Sequence, residues 1–412
     1  MLEQYFTGLT YIFRFCGINF LNTINDTMKP TLSSFLLLFA LSFSLFGQNN
    51  LSMPQSPSAP SGTSLGANET IAYNGIALGN RVKMRGYVDF IYGYGDLDDV
   101  GDDARFSTAG DVDFLFDFSP VTGEVHLAAT TDDISLEQAF ARYSFNQDFN
   151  LSFGRQITNL SYEDDEAPNL NSVSKAYFLD VIREHDALSA FYSELADYHN
   201  TTYGFTSTDP EFLTEDDVSS RLKLRRNYVD GVKLNFNNGM FGLSLGVHDG
   251  YWLSDDFNDN VALDLAASVM IIPGLEARLG YAHQNCDDSI VDDIGQFNAW
   301  VEYNPGDLTL ALEFDHFNFG GSADSDLWDL MFLANYQFLD WFGATLRYSH
   351  EDFEDILGFA GTDYETDRIT LALLFSVTDN FGINFEYSHT ELEFDGAEMD
   401  ADEVYLEGLY TF

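Results

Sequence analysis

The sequence predicts an all-β fold, a transmembrane antiparallel β-barrel of sixteen strands. Three observations support this prediction. After residue 80, apolar and polar residues alternate with the period of two that is typical of strands, as in the stretch from Leu308 to Phe314. The connections between these stretches alternate between short turns and long acidic segments. The chain ends on a further alternating stretch, VYLEGLYTF, whose last residue is Phe412.

The overall charge narrows the classes of function. The chain carries 67 Asp and Glu against 18 Lys and Arg, a formal net charge of −49. Nucleic acid is therefore not expected as a partner, because phosphate contacts need clustered Lys and Arg. The chain is nevertheless 45% hydrophobic, with 38 Phe and 22 Tyr, which an acidic disordered chain would lack. Acidic and aromatic residues must therefore occupy different parts of one folded structure.

The N-terminal region is typical of an exported protein. Residues 28–48, MKPTLSSFLLLFALSFSLFGQ, have the basic start and apolar middle of a signal peptide. A membrane anchor is the alternative, but the apolar run is shorter than the roughly 20 residues that a spanning helix needs. Residues 1–27 are interpreted as an upstream extension. Residues 49–80 are rich in Pro, Ser, Gly and Asn and predict a flexible leader, which leaves 81–412 for the barrel.

The alternating stretches predict individual strands. They cover residues 82–94, 110–118, 122–130, 136–145, 149–158, 228–236, 240–248, 261–270, 274–283, 295–303, 307–317, 326–337, 342–350, 366–376, 381–390 and 402–412. Short turns such as SPVTG and NFNNGM alternate with long acidic connections such as GDLDDVGDDARF and LSDDFNDN. A soluble sandwich or propeller would also contain many strands. It would have no reason to alternate the connection lengths in this way, so the barrel is preferred.

The last strand resembles the terminal strand of Gram-negative outer-membrane proteins. Phe412 is the final residue, and Tyr410, Leu406 and Val404 occupy alternate positions before it; Gly408 departs from the usual bulky residue. The resemblance implies the outer membrane of a Gram-negative bacterium and contact with its lipid. It also implies recognition by the barrel-assembly machinery, with Tyr410 and Phe412 as the signal. The strand should pair with the first strand, around VKMRGYVDFIY.

Two further stretches, LEQAFARYSFNQDFNLSFGRQITNLSYE (136–163) and NYVDGVKLNFNNGMFGLSLGVHDGYW (227–252), resemble the hairpins around the constriction loop of porins. The porins concerned are β-barrel porins and carbohydrate-type porins, and the resemblance covers residues 80–412. It implies passive diffusion of small hydrophilic solutes or cations, a homotrimer as one assembly, and no cofactor. No catalytic motif is present, so no enzyme is expected.

Residues 159–227 form the longest connection, which by position is the third external loop of such a barrel. It contains SYEDDEAP, a predicted helical stretch around 172–199 and the basic run RLKLRR. In porins this loop folds into the barrel and narrows it, so we expect its acids to face basic side chains of the wall. A solvated lid outside the barrel is the alternative. The candidate constriction residues are Glu163, Asp164, Asp165, Glu166, Arg142, Arg155, Lys233, Arg278 and Arg347.

Alternation also predicts which charges line the lumen, because a charge facing lipid costs roughly 2–4 kcal/mol at the midplane. Basic candidates beyond those of the constriction are Lys83 and Arg85. Arg155 shares a face with Phe153 and Ile157, which indicates a bulge or a position at the rim. The predicted lumen acids are Asp89, Asp113, Asp264, Glu313, Asp315 and Glu386.

Five of the eight histidines end consecutive outward-running strands. They are His248, His283, His316, His350 and His389. They could form metal sites at the rim or lie in the aromatic girdle at the lipid–water interface. No two of them have the spacing of a metal motif within one segment, and the acidic loops lack the EF-hand order. No metal is therefore predicted.

A cation-preferring diffusion channel is the function that these features favour, because the acidic connections gather at one end of the barrel. A non-conducting surface barrel, such as an adhesin or structural protein that binds a partner through acidic loops, is the alternative. A selective sugar channel should show a row of aromatic residues along the lumen. The predicted inward set has few aromatics, such as Tyr87, Phe140 and Trp300.

Overall fold

The computed structural model of the chain describes most of the barrel region. The described residues are 65–68, 70, 76–98, 101–131, 133–163, 165–184, 196, 200–201, 206–207, 224–225, 227–252, 261–286, 291–321, 325–355, 363–394 and 396–412. The predicted extension (1–27), the signal peptide (28–48), Asp164 and most of the RLKLRR run lie outside these residues. The predictions that concern them stay predictions.

All sixteen predicted strands are present, and a two-residue strand, β1, precedes them. They are β1 (Ile76–Ala77), β2 (Val82–Leu97), β3 (Gly101–Phe118), β4 (Val121–Ala129), β5 (Ile134–Ser144), β6 (Phe149–Ile157), β7 (Tyr228–Asn237), β8 (Phe241–Asp249), β9 (Val261–Ile272), β10 (Leu275–Asn285), β11 (Val291–Tyr303), β12 (Leu308–Gly321), β13 (Ser325–Leu339), β14 (Phe342–Glu354), β15 (Tyr364–Thr378), β16 (Phe381–Phe394) and β17 (Ala397–Thr411). The largest difference is at β3, where the acidic GDDARF stretch continues the pairing with β2.

Each strand from β2 to β17 pairs antiparallel with the next, and β17 returns to pair with β2. The closing register runs from Ala401 opposite Leu97 to Thr411 opposite Tyr87. Phe412 then exchanges backbone hydrogen bonds of 2.9 and 3.0 Å with Gly86. The predicted pairing of the chain's last strand with its first is confirmed, and closure removes both sheet edges.

The two faces of the wall differ in polarity in the way that alternation predicts. On β8, Leu245 is 48% exposed on the outer face while its neighbour Ser244 is fully buried on the inner face. Apolar side chains such as Leu346 and Ile369 form the same exposed outer surface on β14 and β15. An apolar outer band of this kind suits contact with lipid.

Helical structure is short in the described part of the chain. In the third connection, the described stretch 165–184 contains a 3₁₀ turn, Ala167–Asn169, and a helix, α1 (Phe178–Glu184). No helix in the described residues is long and apolar enough to cross a membrane. Within the predicted helical stretch around 172–199, residues 172–177 are not helical, α1 covers Phe178–Glu184, and only Ala196 is described between α1 and residue 199.

Candidate functional site in the barrel interior

Charged side chains of both signs line the inner face of the wall. The inward-facing predicted residues are Lys83, Arg85, Arg142, Lys233, Arg278, Arg347, Asp89, Asp113, Asp264, Glu313, Asp315 and Glu386. Arg85 contacts Asp113 across β2 and β3. The inner face carries further buried acids that sequence reasoning missed, namely Asp111, Glu124, Glu302, Asp329, Glu351, Glu403 and Glu407. Acidic groups are thus in excess over basic groups on the described inner face.

The described start of the third connection lies against this inner face. Residues 159–163 and 165–184 are called the inner segment here. The hydroxyl of Tyr162 donates to Glu302 on β11 at 2.7 Å, and its backbone N–H donates to Glu313 on β12 at 2.5 Å. The side-chain amide of Asn159 donates to Asp264 on β9 at 3.0 Å. The inner segment is therefore held by polar groups of several strands at once.

Arg347 of β14 makes the densest set of these contacts. Its guanidinium forms an ion pair of 2.6 Å with Glu163 and donates to the Ser172 hydroxyl at 2.8 Å. It also donates to the backbone oxygens of Ser174 at 2.9 Å and Lys175 at 2.7 Å. The arginine is fully buried. The five-donor fork of arginine allows one wall residue to organise several points of the inner segment.

Carboxylates of the wall accept hydrogen bonds from backbone amides of the inner segment. Glu386 on β16 accepts from the N–H groups of Val173 at 2.6 Å and Ser174 at 3.2 Å. Glu351 on β14 accepts from the N–H of Phe178, the first residue of α1, at 2.7 Å. Irregular backbone buried inside a barrel needs such partners, because its amides lack a strand ladder.

Arg225 joins the end of the third connection to the same wall. Its guanidinium lies 3.1 Å from Asp180 and also contacts Asp315 and Asp329. The guanidinium carbon lies 3.9 Å from the centre of the Tyr177 ring. Burial alone would lower the pKa of Arg225, but Asp180 and Asp315 outweigh it and raise that pKa above its ordinary value. Arg225 is therefore a permanent cation inside the barrel.

The candidate constriction residues do not form one ring. Glu163 meets Arg347, whereas Asp165 pairs with Lys175 of its own segment at 2.6 Å. The remaining basic candidates lie elsewhere on the wall: Arg142 donates to Asn68 at 2.9 Å, Lys233 donates to the backbone oxygen of Ile157, and Arg278 lies over the ring of Trp300. Alternation assigns a face to each residue but no height along the barrel, so it could not separate these groups.

The prediction that Arg155 belongs to the pore constriction is wrong. Arg155 lies on the outer face of β6, directly opposite Asp230 of β7, and its guanidinium lies 3.4 Å from that carboxylate. It also donates to the backbone oxygen of Leu136 at 3.2 Å. The pairing between β6 and β7 runs from Phe149 to Ile157 through Arg155 without a register shift, so no bulge turns its side chain inward.

Residues 65–68 and 70 of the predicted leader contact the barrel. Among its described residues, Leu65 and Thr70 are buried. Asn68 donates to Thr122 and Ser144, each at 3.2 Å. Asn237 donates to the backbone oxygen of Leu65 at 2.8 Å. These partners lie beside the short turns, so residues 65–70 lie inside the barrel at the end that is periplasmic in porins.

An apolar core fills the interior near the long connections. Its wall members lie on the ends of β2 and of β11 to β17, and Phe178, Leu179 and Leu224 cover them. The wall members are Leu97, Ile294, Phe317, Phe319, Leu327, Phe353, Tyr364, Leu392 and Ala401. Sequence reasoning missed these inward aromatics, although Phe317 and Phe319 share the alternation of Asp315. The third connection packs against this core, and a polar solute could not contact the buried rings.

The histidines of the predicted rim divide between the two faces. His248 is fully buried on the inner face, where it lies 3.1 Å from Asp264. On the outer face, His350 and His389 lie 3.1 and 3.0 Å from aspartates of the next strand. His283 and His316 also lie on the outer face of their strands. His248 therefore differs from the other four.

Comparison with known proteins gives matches at the level of structure. No protein-family model matches the chain, and no curated protein matches it. The outer membrane channel DcaP of Acinetobacter baumannii superposes with a TM-score of 0.54 at 14% identity, covering 80% of this chain and 97% of that one. The anion-selective porin from Comamonas acidovorans gives 0.52 at 15% identity, covering 80% and 99%.

A third similar structure is the trimer form of OmpT, an outer membrane protein of Vibrio cholerae. It gives a TM-score of 0.52 at 13% identity and covers 81% of this chain and all of that one. The similarity spans the barrel, and the low identities restrict what it shows to the fold. With its closed sheet and apolar outer face, this chain has the fold of outer-membrane porins, a closed antiparallel β-barrel.

Proposed function

We propose that this chain is a diffusion channel that prefers cations over anions and has no enzymatic activity. The observation that carries the proposal is the excess of acidic over basic groups on the described inner face. A narrow, partly desolvated passage strengthens the effect of such charges on passing ions. The acidic long connections add to the attraction of cations at the outer mouth. The fold itself does not decide the preference, since a neighbour is described as anion-selective.

The inner segment is the part of the channel that sets its width in this proposal. It lies across the inner faces of β11 to β16, where it contacts Glu313, Arg347 and Glu386. Inward side chains around it are almost completely buried. We therefore expect a small conductance, compatible with small hydrophilic solutes and ions rather than large ones.

Reversal potentials test the preference directly. The purified barrel is inserted into planar bilayers with a tenfold KCl gradient, which is expected to give a reversal potential of the sign that marks potassium selectivity. Replacing Glu407 and Asp89, two buried inner-face acids, by Gln and Asn should reduce that potential. Chloride selectivity of the unmodified protein would refute the proposal.

A non-conducting surface barrel is the second candidate, and one observation favours it. The apolar core and the leader occupy the two ends of the interior, and the described inward residues between them are mostly buried. A protein of this kind would show no ion conductance after insertion, at any voltage. Conductance steps that scale with salt concentration would exclude it.

The proposed partners follow from the same fold. The outer face contacts outer-membrane lipid, and the strand ending in Tyr410 and Phe412 is proposed as the segment that the assembly machinery recognises. A homotrimer is proposed because a structural neighbour is described in a trimer form. The outward pair Arg155–Asp230 supports it, since a charged pair on the outer face is better covered by protein than by lipid.

A further inference from the structure

Three carboxylates from separate parts of the chain converge inside the barrel. Asp111 lies on the inner face of β3, and Glu166 belongs to the inner segment. Glu137 lies where the pairing of β5 with β4 shifts register, so this extra residue of β5 has no partner on β4. One carboxylate oxygen from each of the three lies within 4.8 Å of the other two.

The environment of Asp111 points to a missing ligand. Its side chain is 99% buried, since only 1% of the residue is exposed, and its Oδ2 atom accepts no hydrogen bond from a described residue. A buried carboxylate oxygen without a donor is costly, and two further carboxylates beside it add repulsion. Tyr87 of β2 is a hydrogen-bond partner of Glu166, and Tyr228 of β7 is a partner of both Glu137 and Asp165.

Basic groups around the three acids are engaged by other carboxylates. Arg85 forms its ion pair with Asp113, and a ring nitrogen of His126 lies 2.9 Å from the same carboxylate. Lys175 forms its ion pair with Asp165 at 2.6 Å. Arg85, His126 and Lys175 thus form these ion pairs with carboxylates outside the group of three.

We infer that Asp111, Glu137 and Glu166 bind a divalent cation of the calcium class. Calcium takes six to eight oxygen ligands at about 2.3–2.6 Å, so its opposite ligands lie no more than about 5 Å apart. The separations among the three carboxylates fit a single ion of this size. Carboxylate oxygens are hard ligands, and their origin in three separate segments suits the flexible geometry of calcium better than the strict octahedron of magnesium.

The bound cation would tie the inner segment to a further part of the wall, beyond the seam between β17 and β2. Arg347 and Glu386 hold this segment from β14 and β16. The cation would join Glu166 of the inner segment to Asp111 on β3 and Glu137 on β5. The site does not depend on whether the channel conducts, since binding can be measured on the detergent-solubilised barrel.

Calcium titration tests the site. The full mature chain, folded in detergent and stripped with EDTA, is titrated with CaCl₂ by calorimetry at about 150 mM NaCl, which screens weak binding to the acidic surface. We expect one saturable site per chain. Glu166→Gln should weaken it by about tenfold or more, because a charged ligand is lost. Asp111→Asn should do the same.

Asp117→Asn is the matched control, since Asp117 lies on the same strand and face and its carboxylate accepts hydrogen bonds from Ser119. This variant should bind calcium as the unmodified chain does. Glu166→Gln changes the inner segment and no strand, so barrel closure, checked by heat-modifiable migration on gels, should persist. Calcium binding by Glu166→Gln with unchanged affinity and stoichiometry would disprove the site. Weak, non-saturating calcium binding by the unmodified chain and by all the variants would disprove it as well.

Discussion

A single residue, Arg347, holds in place a stretch of backbone that lacks the hydrogen bonds of a strand ladder. It pairs with Glu163 and donates to the backbone of Ser174 and Lys175. Its loss would remove the cationic partner of the buried Glu163 carboxylate and one donor from each of two buried carbonyl groups. The structure therefore makes the position of the inner segment depend on this residue more than on any exposed charge.

Arg347→Leu should lower the free energy of unfolding by about 3–5 kcal/mol, the usual cost of breaking a buried ion pair. It should also loosen the inner segment and increase the fluctuation of open-channel current. Urea unfolding in detergent and single-channel recording measure the two effects. Arg105→Ala is the control, since its pair with Asp103 is exposed and worth at most about 1 kcal/mol. Equal destabilisation by the two variants would contradict the role given to Arg347.

Arg225 is the second residue whose loss should be costly, for a different reason. It neutralises Asp180 and Asp329 in the interior and lies over the Tyr177 ring. Burial, reinforced by Glu313, raises the pKa of the Tyr177 hydroxyl well above its ordinary value, so this tyrosine stays neutral. Arg225→Met keeps the length and removes the charge. This variant should increase the cation preference measured by reversal potentials, because the carboxylates that lose their ion pair face the interior. A shift toward anion preference would contradict the role of Arg225 as an interior cation.

At the scale of elements, the seam where β2 pairs with β17 depends on the close approach of the Phe412 ring to the backbone of Gly86. Phe412 exchanges hydrogen bonds with Gly86, and a Cβ atom added to Gly86 would lie 2.7 Å from the Cζ atom of the Phe412 ring. It would also lie 2.2 Å from the backbone oxygen of Asp111. The ring of the last residue therefore packs where the first strand has no side chain.

Gly86→Val should lower the yield of closed barrel, since the side chain competes with the Phe412 ring and with β3. Phe412→Ala should also lower the yield, by weakening the seam and the proposed assembly signal. Heat-modifiable migration of outer-membrane fractions measures the closed form. Phe145→Ala, which truncates an exposed aromatic in a short turn, is the control. Normal yield of the Gly86 variant would show that the seam tolerates the side chain.

The elements themselves were predictable because strand alternation is a local signal. The apolar neighbours of a residue such as Asp264 or Glu313 indicate that its side chain points to the inner face. The pairing of β17 with the first strand followed from the need to close the sheet without free edges. The alternation also placed the Arg155 side chain on the outer face, where it lies directly opposite Asp230. The prediction failed because the charge of Arg155 was taken to require an inward position.

The interior contacts could not be predicted in the same way, because they join residues far apart in the chain. Glu386 accepts from Val173, and Arg225 meets Asp329. Neither pair has a local pattern, since the inner segment is irregular and its path depends on the shape of the closed barrel. Inward aromatics such as Phe319 were predictable in principle, by extending the alternation beyond residue 317 to the true end of β12.

At the scale of the whole molecule, the interior is occupied from both ends. Arg225 and the α1 end of the inner segment pack against the half of the wall nearer the long connections. The leader enters from the end with the short turns, where Asn68 contacts β4 and β5. Any aqueous path must therefore pass two obstacles that come from different parts of the chain. They can be removed separately, because the barrel closes through β2 and β17 without either.

Deleting residues 49–75 should raise single-channel conductance by about twofold or more, because conductance rises with the cross-section of the narrowest passage. Deleting only 49–64 is the matched control, since Leu65 to Thr70 then keep their contacts with β4 to β8. Barrel closure should be unchanged in both, because β1 and β2 remain. A conductance that stays the same after the longer deletion would mean that the inner segment alone limits the flow. Equal increases from both deletions would remove the role assigned to Asn68 and its neighbours, since the control retains them.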